Sequence, residues 1–142
     1  MAMGEDGYNE HTRGILAVTQ EIAKGVREIK GLRLLGGTPE AMIVCFAGDL
    51  GVNVYSVSDK MAKRGWRLNA LQNPPCVHIC CTVTHINKGQ TFLKDLREAT
   101  QEVLENPNAQ GGNAAIYGLT SALPPGPVNE LLKVYNDVVL KV

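Results

Sequence analysis

Cys76-Val-His-Ile-Cys-Cys-Thr-Val-Thr84 is the stretch from which the fold is read. It is rich in β-branched side chains and holds no glycine or proline, so it predicts a strand. Just before it, Pro74-Pro75 interrupts the chain and favours extended backbone at the preceding residue. Further upstream lies a brief extended piece, Trp66-Arg-Leu-Asn-Ala-Leu71. A helix is predicted over Val54–Arg64, with Val54, Val57 and Met61 as its apolar stripe and Gly65 as its end. Ala41-Met-Ile-Val-Cys-Phe-Ala47 is a continuous apolar run between Pro39 and Gly48, as expected of a strand inside a sheet. Leu32-Arg-Leu-Leu35 reads as a shorter strand. The linker Gly36-Gly-Thr-Pro-Glu40 is short enough to make these two strands antiparallel neighbours.

The ends of the chain read as helix. From Gly7 to Lys30, Ile15, Val18, Ile22, Val26 and Ile29 recur at spacings of three and four, and Gly31 supplies a cap. Downstream, Phe92, Leu96, Ala99 and Val103 share a face over Lys88–Glu105, before Asn106-Pro107 stops the helix. The sequence therefore predicts an α/β domain of the α+β type, with a small, mostly antiparallel sheet and helices on one face. Residues 1–142 form one domain in this reading: a compact core over 1–105, an irregular glycine- and proline-rich arm over 106–126, and a terminal helix over 127–142 that Pro127 opens.

Composition narrows the function. Apolar residues make up 44 % of the 142, enough for a core, and 14 basic residues balance 14 acidic ones. A neutral chain lacks the basic footprint of a nucleic-acid binder. No apolar run reaches the ~20 residues that span a bilayer. The four cysteines, Cys45, Cys76, Cys80 and Cys81, form no Cys-x-x-Cys pair, and reduced thiols facing the cytosol are the simplest reading.

Chemistry is sparse. Alternation puts Cys76, His78 and Cys80 on one strand face, but consecutive same-face positions stand ~7 Å apart and a closed zinc site needs four convergent ligands. Core packing explains these cysteines better than a metal or a nucleophile, so no metal ligand and no catalytic residue is assigned. Gly36-Gly37 precedes a strand rather than a helix, which excludes a phosphate loop. Glu5-Asp6 complement the dipole at a helix start. Ser56-Val-Ser-Asp-Lys60 has a superficial serine-aspartate-lysine pattern, but Lys60 falls within an amphipathic helix and reads as a solvated side chain.

Several segments, taken in order, resemble the sphingosine-1-phosphate lyase family. Gly4-Glu-Asp-Gly-Tyr8 looks like that family's junction between its large cofactor domain and its C-terminal small domain. Lys63-Arg-Gly-Trp-Arg-Leu-Asn-Ala-Leu-Gln72 with Pro74-Pro75, then Val77-His-Ile-Cys80, Phe92-Leu-Lys-Asp-Leu-Arg-Glu98 and Ala115-Ile-Tyr-Gly118 follow the family pattern. Val128-Asn-Glu-Leu-Leu132 fits its final helix. The resemblance implies the small-domain fold of fold-type-I pyridoxal-phosphate enzymes. It also implies a carbon–carbon lyase of sphingolipid catabolism, which cleaves a phosphorylated sphingoid base into a long-chain aldehyde and phosphoethanolamine. Pyridoxal phosphate, held by an active-site lysine, is the electron sink. Homodimers and, in eukaryotes, an endoplasmic-reticulum anchor with a cytosol-facing catalytic domain are implied as well.

None of the eight lysines here has the family's cofactor-lysine context, so no cofactor-binding residue is assigned. The expectation is a fragment that lacks the large cofactor domain and the anchor, and is inactive alone. The alternatives are a standalone remnant that docks on a full-length subunit, and the small domain of a related amino-acid decarboxylase. His78 bears on the last. Related decarboxylases carry an arginine near this strand position, where it pairs with a substrate carboxylate. A sphingoid base phosphate has no such carboxylate, so the resemblance makes His78 a substrate-proximal candidate. A hydrogen-bonded, half-buried histidine is the equal alternative.

Overall fold

The computed structural model describes residues 3–107 and, beyond them, Gly112, Ala114, Ala115, Glu130, Lys133 and Val134. Three helices and four strands follow one another as α1 (Glu5–Arg27), β1 (Leu32–Leu35), β2 (Ile43–Gly48), α2 (Val54–Lys63), β3 (Asn69–Leu71), β4 (Cys76–Cys80) and α3 (Gly89–Glu105), with a 3₁₀ turn at Val83–His85 before α3. The sheet order is β1-β2-β4-β3, and every neighbouring pair is antiparallel. The α+β architecture matches the expectation from sequence.

The register sorts the side chains into two faces. Val44 stands opposite Ile79, and Phe46 opposite both Leu34 and Val77. These residues join Leu32 in one core with Val18, Ile22 and Val26 of α1, Val57 and Met61 of α2, and Phe92, Leu96 and Val103 of α3. All three described helices thus cover the same sheet face. The other face carries Ile43, Cys45, His78, Cys80 and Asn69.

Several boundaries shift by a few residues, and three departures from the sequence reading have a definite cause. The strand predicted to reach Thr84 ends at Cys80. The Cys81 N–H still bonds the Met42 carbonyl at 2.6 Å, but then the Thr82 N–H donates to His85 Nδ1 at 2.9 Å and the Thr82 side chain caps the turn in return. Local side-chain bonds from threonine compete with a ladder in this way. α1 stops at Arg27 rather than Lys30, because Glu28 and Ile29 bond the carbonyls of Gly25 and Val26 in a tighter turn. Ile29 stays buried through that turn, so its periodicity persists past the helix end. Around Pro74-Pro75 the chain makes the β3–β4 turn, with a cis bond between Asn73 and Pro74, instead of running extended.

The arm over 106–126 and the terminal helix over 127–142 lie mostly outside the described residues. Within them, Ala114, Ala115, Glu130, Lys133 and Val134 have helical backbone. Ala114 is buried, and its N–H donates to Asp59 Oδ2 at 3.1 Å. No described helix is long and apolar enough to cross a membrane.

Candidate functional site

His78 sits in the middle of β4, on the sheet face turned away from the three described helices. Cys45 of β2 stands opposite it on one side and Asn69 of β3 on the other. The residue is half-buried, yet its Nδ1 is shielded from solvent and has no hydrogen-bond partner. Leaving a buried polar atom unpaired costs ~1–3 kcal/mol, and such an atom in a native fold calls for an explanation. Among the described residues two other side-chain atoms share this state, His11 Nδ1 and Ser56 Oγ. Of the three, only His78 lies on the sheet face away from the described helices.

The cysteines fall out by face. Cys45 and Cys76 are hydrogen-bonded thiols beside His78, and Cys80 is exposed further along the strand. Burial, and then the Cys76 neighbour, push the Cys45 thiol up to about 11. Cys81 turns into the core, where burial raises its pKa against an opposing hydrogen bond from Thr19. Among the described residues no three His, Cys, Asp or Glu side chains are grouped to hold a metal ion.

These positions predict thiol behaviour. At pH 8 a thiol with a pKa near 11 is about one-thousandth thiolate, and only thiolates attack a disulfide reagent. One fast-reacting thiol, Cys80, is expected in the native chain, and the other three should react only on unfolding. The raised Cys45 pKa also gives a sign to alkaline stability. The native state favours the protonated thiol, so this contribution is full below the ordinary value of 9.0 and lost as pH rises toward 11. Urea midpoints should fall across that window, and Cys45→Ala should flatten the fall. Fast reaction of three thiols in the folded state would contradict this arrangement.

The described residues do not make a site for a lysine-bound cofactor. Lys60, the one described lysine that is not exposed, donates to Glu102 at 2.8 Å, and Arg64 contacts the same carboxylate. Those hydrogen bonds hold the Glu102 carboxyl below its usual range. Lys24, Lys30, Lys63, Lys88, Lys94 and Lys133 are all exposed. None has the desolvated setting that activates a Schiff-base lysine. The serine-aspartate-lysine pattern at Lys60 is therefore an interhelical ion pair between α2 and α3, not the solvated side chain expected from sequence.

A cleft of about 380 Å³ lies at the end of the His78 face, lined by Trp66, Arg67, Asn69, Thr84, His85 and Lys88 among others. Trp66 is its best-anchored wall. The indole Nε1 donates to Asp95 at 2.7 Å, and its ring meets Phe92 edge-on at 5.1 Å. The sequence reading missed this cleft. Placing His85 at a strand end hid the turn that brings it back against Trp66, with ring centroids 6.2 Å apart.

No family model matches the chain. A sphingosine-1-phosphate lyase from Arabidopsis thaliana is 42% identical over 139 residues, which is 96% of this chain and 25% of that protein. The solved structure of a sphingosine-1-phosphate lyase from Burkholderia pseudomallei superposes with a TM-score of 0.65 at 30% identity, over 75% of this chain and 24% of its own. A variant of the cystine C-S lyase C-DES with glycine covalently linked to its PLP cofactor shares the fold at a TM-score of 0.55 and 20% identity, over 63% of this chain and 24% of its own. The chain spans about a quarter of the length of the relatives it matches. By sequence and by fold, it is a homologue of one quarter of the sphingosine-1-phosphate lyase chain.

Proposed function

We propose that the chain is the C-terminal small domain of a pyridoxal-phosphate-dependent lyase that cleaves phosphorylated sphingoid bases to a long-chain aldehyde and phosphoethanolamine. The observation that carries this reading is 42% identity over 96% of the chain. The sheet face that no described helix covers, with His78 in its middle, supports a role as one wall of a site completed elsewhere. The cofactor and its lysine belong to the large domain, which supplies the electron sink for carbon–carbon cleavage. What this chain contributes is position: β4 holds the half-buried His78 ring in the middle of that face, where the rest of the ring can meet a substrate group. The reading includes a homodimer and, in a eukaryotic cell, a cytosol-facing place at the endoplasmic-reticulum membrane.

A graft tests it. The matching quarter of the Arabidopsis lyase is replaced by this chain, and cleavage of a sphingoid base phosphate is followed with PLP present. An active chimera is the expected result, while the 142-residue chain alone should show neither activity nor a cofactor absorbance band. A chimera that binds PLP but decarboxylates an amino acid instead would overturn the substrate class. In the active chimera His78→Ala should lower kcat about tenfold, the loss of one hydrogen bond to a charged or polarised group. Unchanged kinetics would remove His78 from the site.

A further inference from the structure

The cleft beside Trp66 has a charge pattern that the lyase reading does not use. Arg67, His85 and Lys88 line it, with Asn69, Cys80 and Thr84, and among the described residues no aspartate or glutamate does. In a chain with 14 basic and 14 acidic residues this is a local separation of charge. The acids close by are engaged elsewhere. Asp95 accepts from Trp66 Nε1, and Glu21 accepts from the Gln90 side chain and abuts Gly89 at the start of α3. Among the described residues neither Arg67 nor Lys88 forms an ion pair.

The state of His85 is fixed by its neighbours. Its Nδ1 accepts the Thr82 N–H at 2.9 Å, so the neutral ring carries its proton on Nε2. Stacking at 23° on Trp66 holds the ring plane. The cleft therefore offers a guanidinium fork, an ammonium, an imidazole N–H and an amide, a set dominated by donors, while the Thr84 hydroxyl is hydrogen-bonded to Thr82 Oγ1 at 2.8 Å. A carboxylate has two oxygens to satisfy. A phosphate has three or four and carries up to two charges, which suits an arginine fork supplemented by a lysine. The volume is in the range that holds a small organic ligand as well as the anion.

We infer that this cleft, which adjoins the His78 face at Asn69 and Cys80, is a phosphate-binding site that uses neither the His78 ring nor a lysine-bound cofactor, and that it takes inorganic phosphate or the phosphate group of a small ester. Trp66 is the only tryptophan in the chain, so its fluorescence reads the cleft directly. The 142-residue chain is titrated with inorganic phosphate and, separately, with glycerol phosphate, against chloride and acetate at matched ionic strength. A saturable change with either phosphate, absent with chloride and acetate, is expected. The arm that binds more tightly identifies the source of the phosphate group. Arg67→Gln and Lys88→Gln should each weaken binding about tenfold, as expected for a hydrogen bond to a charged group. Both side chains are exposed, so the melting temperature should not move. Backbone amide shifts of Thr84–Gln90 give a second readout that does not depend on the indole. Absence of saturation in both readouts overturns the inference. So does an equal response to acetate, or a double variant that binds like the parent chain.

Discussion

Phe92→Ala is expected to destabilise the chain by ~3–5 kcal/mol, the usual cost of deleting a buried phenyl ring. Phe92 lies on the inner face of α3, has no solvent exposure and is among the largest fully buried side chains. Its ring fills the core beneath the sheet and gives the edge of Trp66 its partner at 5.1 Å. A domain of this size has ~5–15 kcal/mol in all, so the variant should be partly unfolded at room temperature or close to it. Urea unfolding followed by far-UV circular dichroism measures the loss. Near-UV dichroism should report the indole losing its fixed surroundings even where the helices persist. A loss below 1 kcal/mol would mean that α3 does not seat on the core as described.

Gly48→Ala is expected to be the most disruptive single-methyl insertion. Gly48 ends β2 opposite Leu32, and a Cβ there would fall on the carbonyl oxygen of Val52. That oxygen cannot easily retreat. The turn beneath it is pinned by the Asp49 N–H to Gly31 at 2.8 Å and the Val52 N–H to Asp49 at 3.0 Å, and Val52 and Val54 are buried. Overpacking of this kind costs ~1–3 kcal/mol, sometimes more. Here the strain falls on backbone rather than on a flexible side-chain tip. At Gly25, by contrast, a Cβ would meet the side chain of Leu93, which can rotate away, so Gly25→Ala should cost less. Calorimetric melting of both variants tests the order. A Gly48→Ala chain that melts with the parent would contradict the tight turn.

What could be read from the sequence and what could not divide along physical lines. Leu32–Leu35 was legible to the residue, because glycines bound it and its neighbour strand is a short linker away. Gly65 marked the end of α2 because the residue takes a φ of +90°, which suits glycine alone at no cost. The face shared by Cys76, His78 and Cys80 followed from alternation. The partners across from His78 did not, since Cys45 and Asn69 come from register, which no local pattern encodes. The overlong strand prediction had a definite cause. Thr82-Val-Thr84 has high β propensity, and a reciprocal cap between Thr82 and His85 overrides it. The cleft was hidden for the same reason. It needs that turn to bring His85 and Lys88 near Trp66 and Arg67, residues about twenty positions apart in the chain.

The strand order has a consequence for how the chain is made. β2 and β3 are parallel to each other, being each antiparallel to β4, and α2 connects them. The strand that separates them is encoded last. On a ribosome, a nascent chain that has emerged only as far as Pro75 has β2 and β3 but nothing to fill the slot between them. Val44 and Phe46 then lack the Ile79 and Val77 opposite them, and two strands present unpaired backbone to whatever is near. α3, which closes the core from the other side, is also still to come. The sheet of this protein can be completed only after β4 has been synthesised, and until then it presents the kind of unpaired apolar strand edge on which chaperones act.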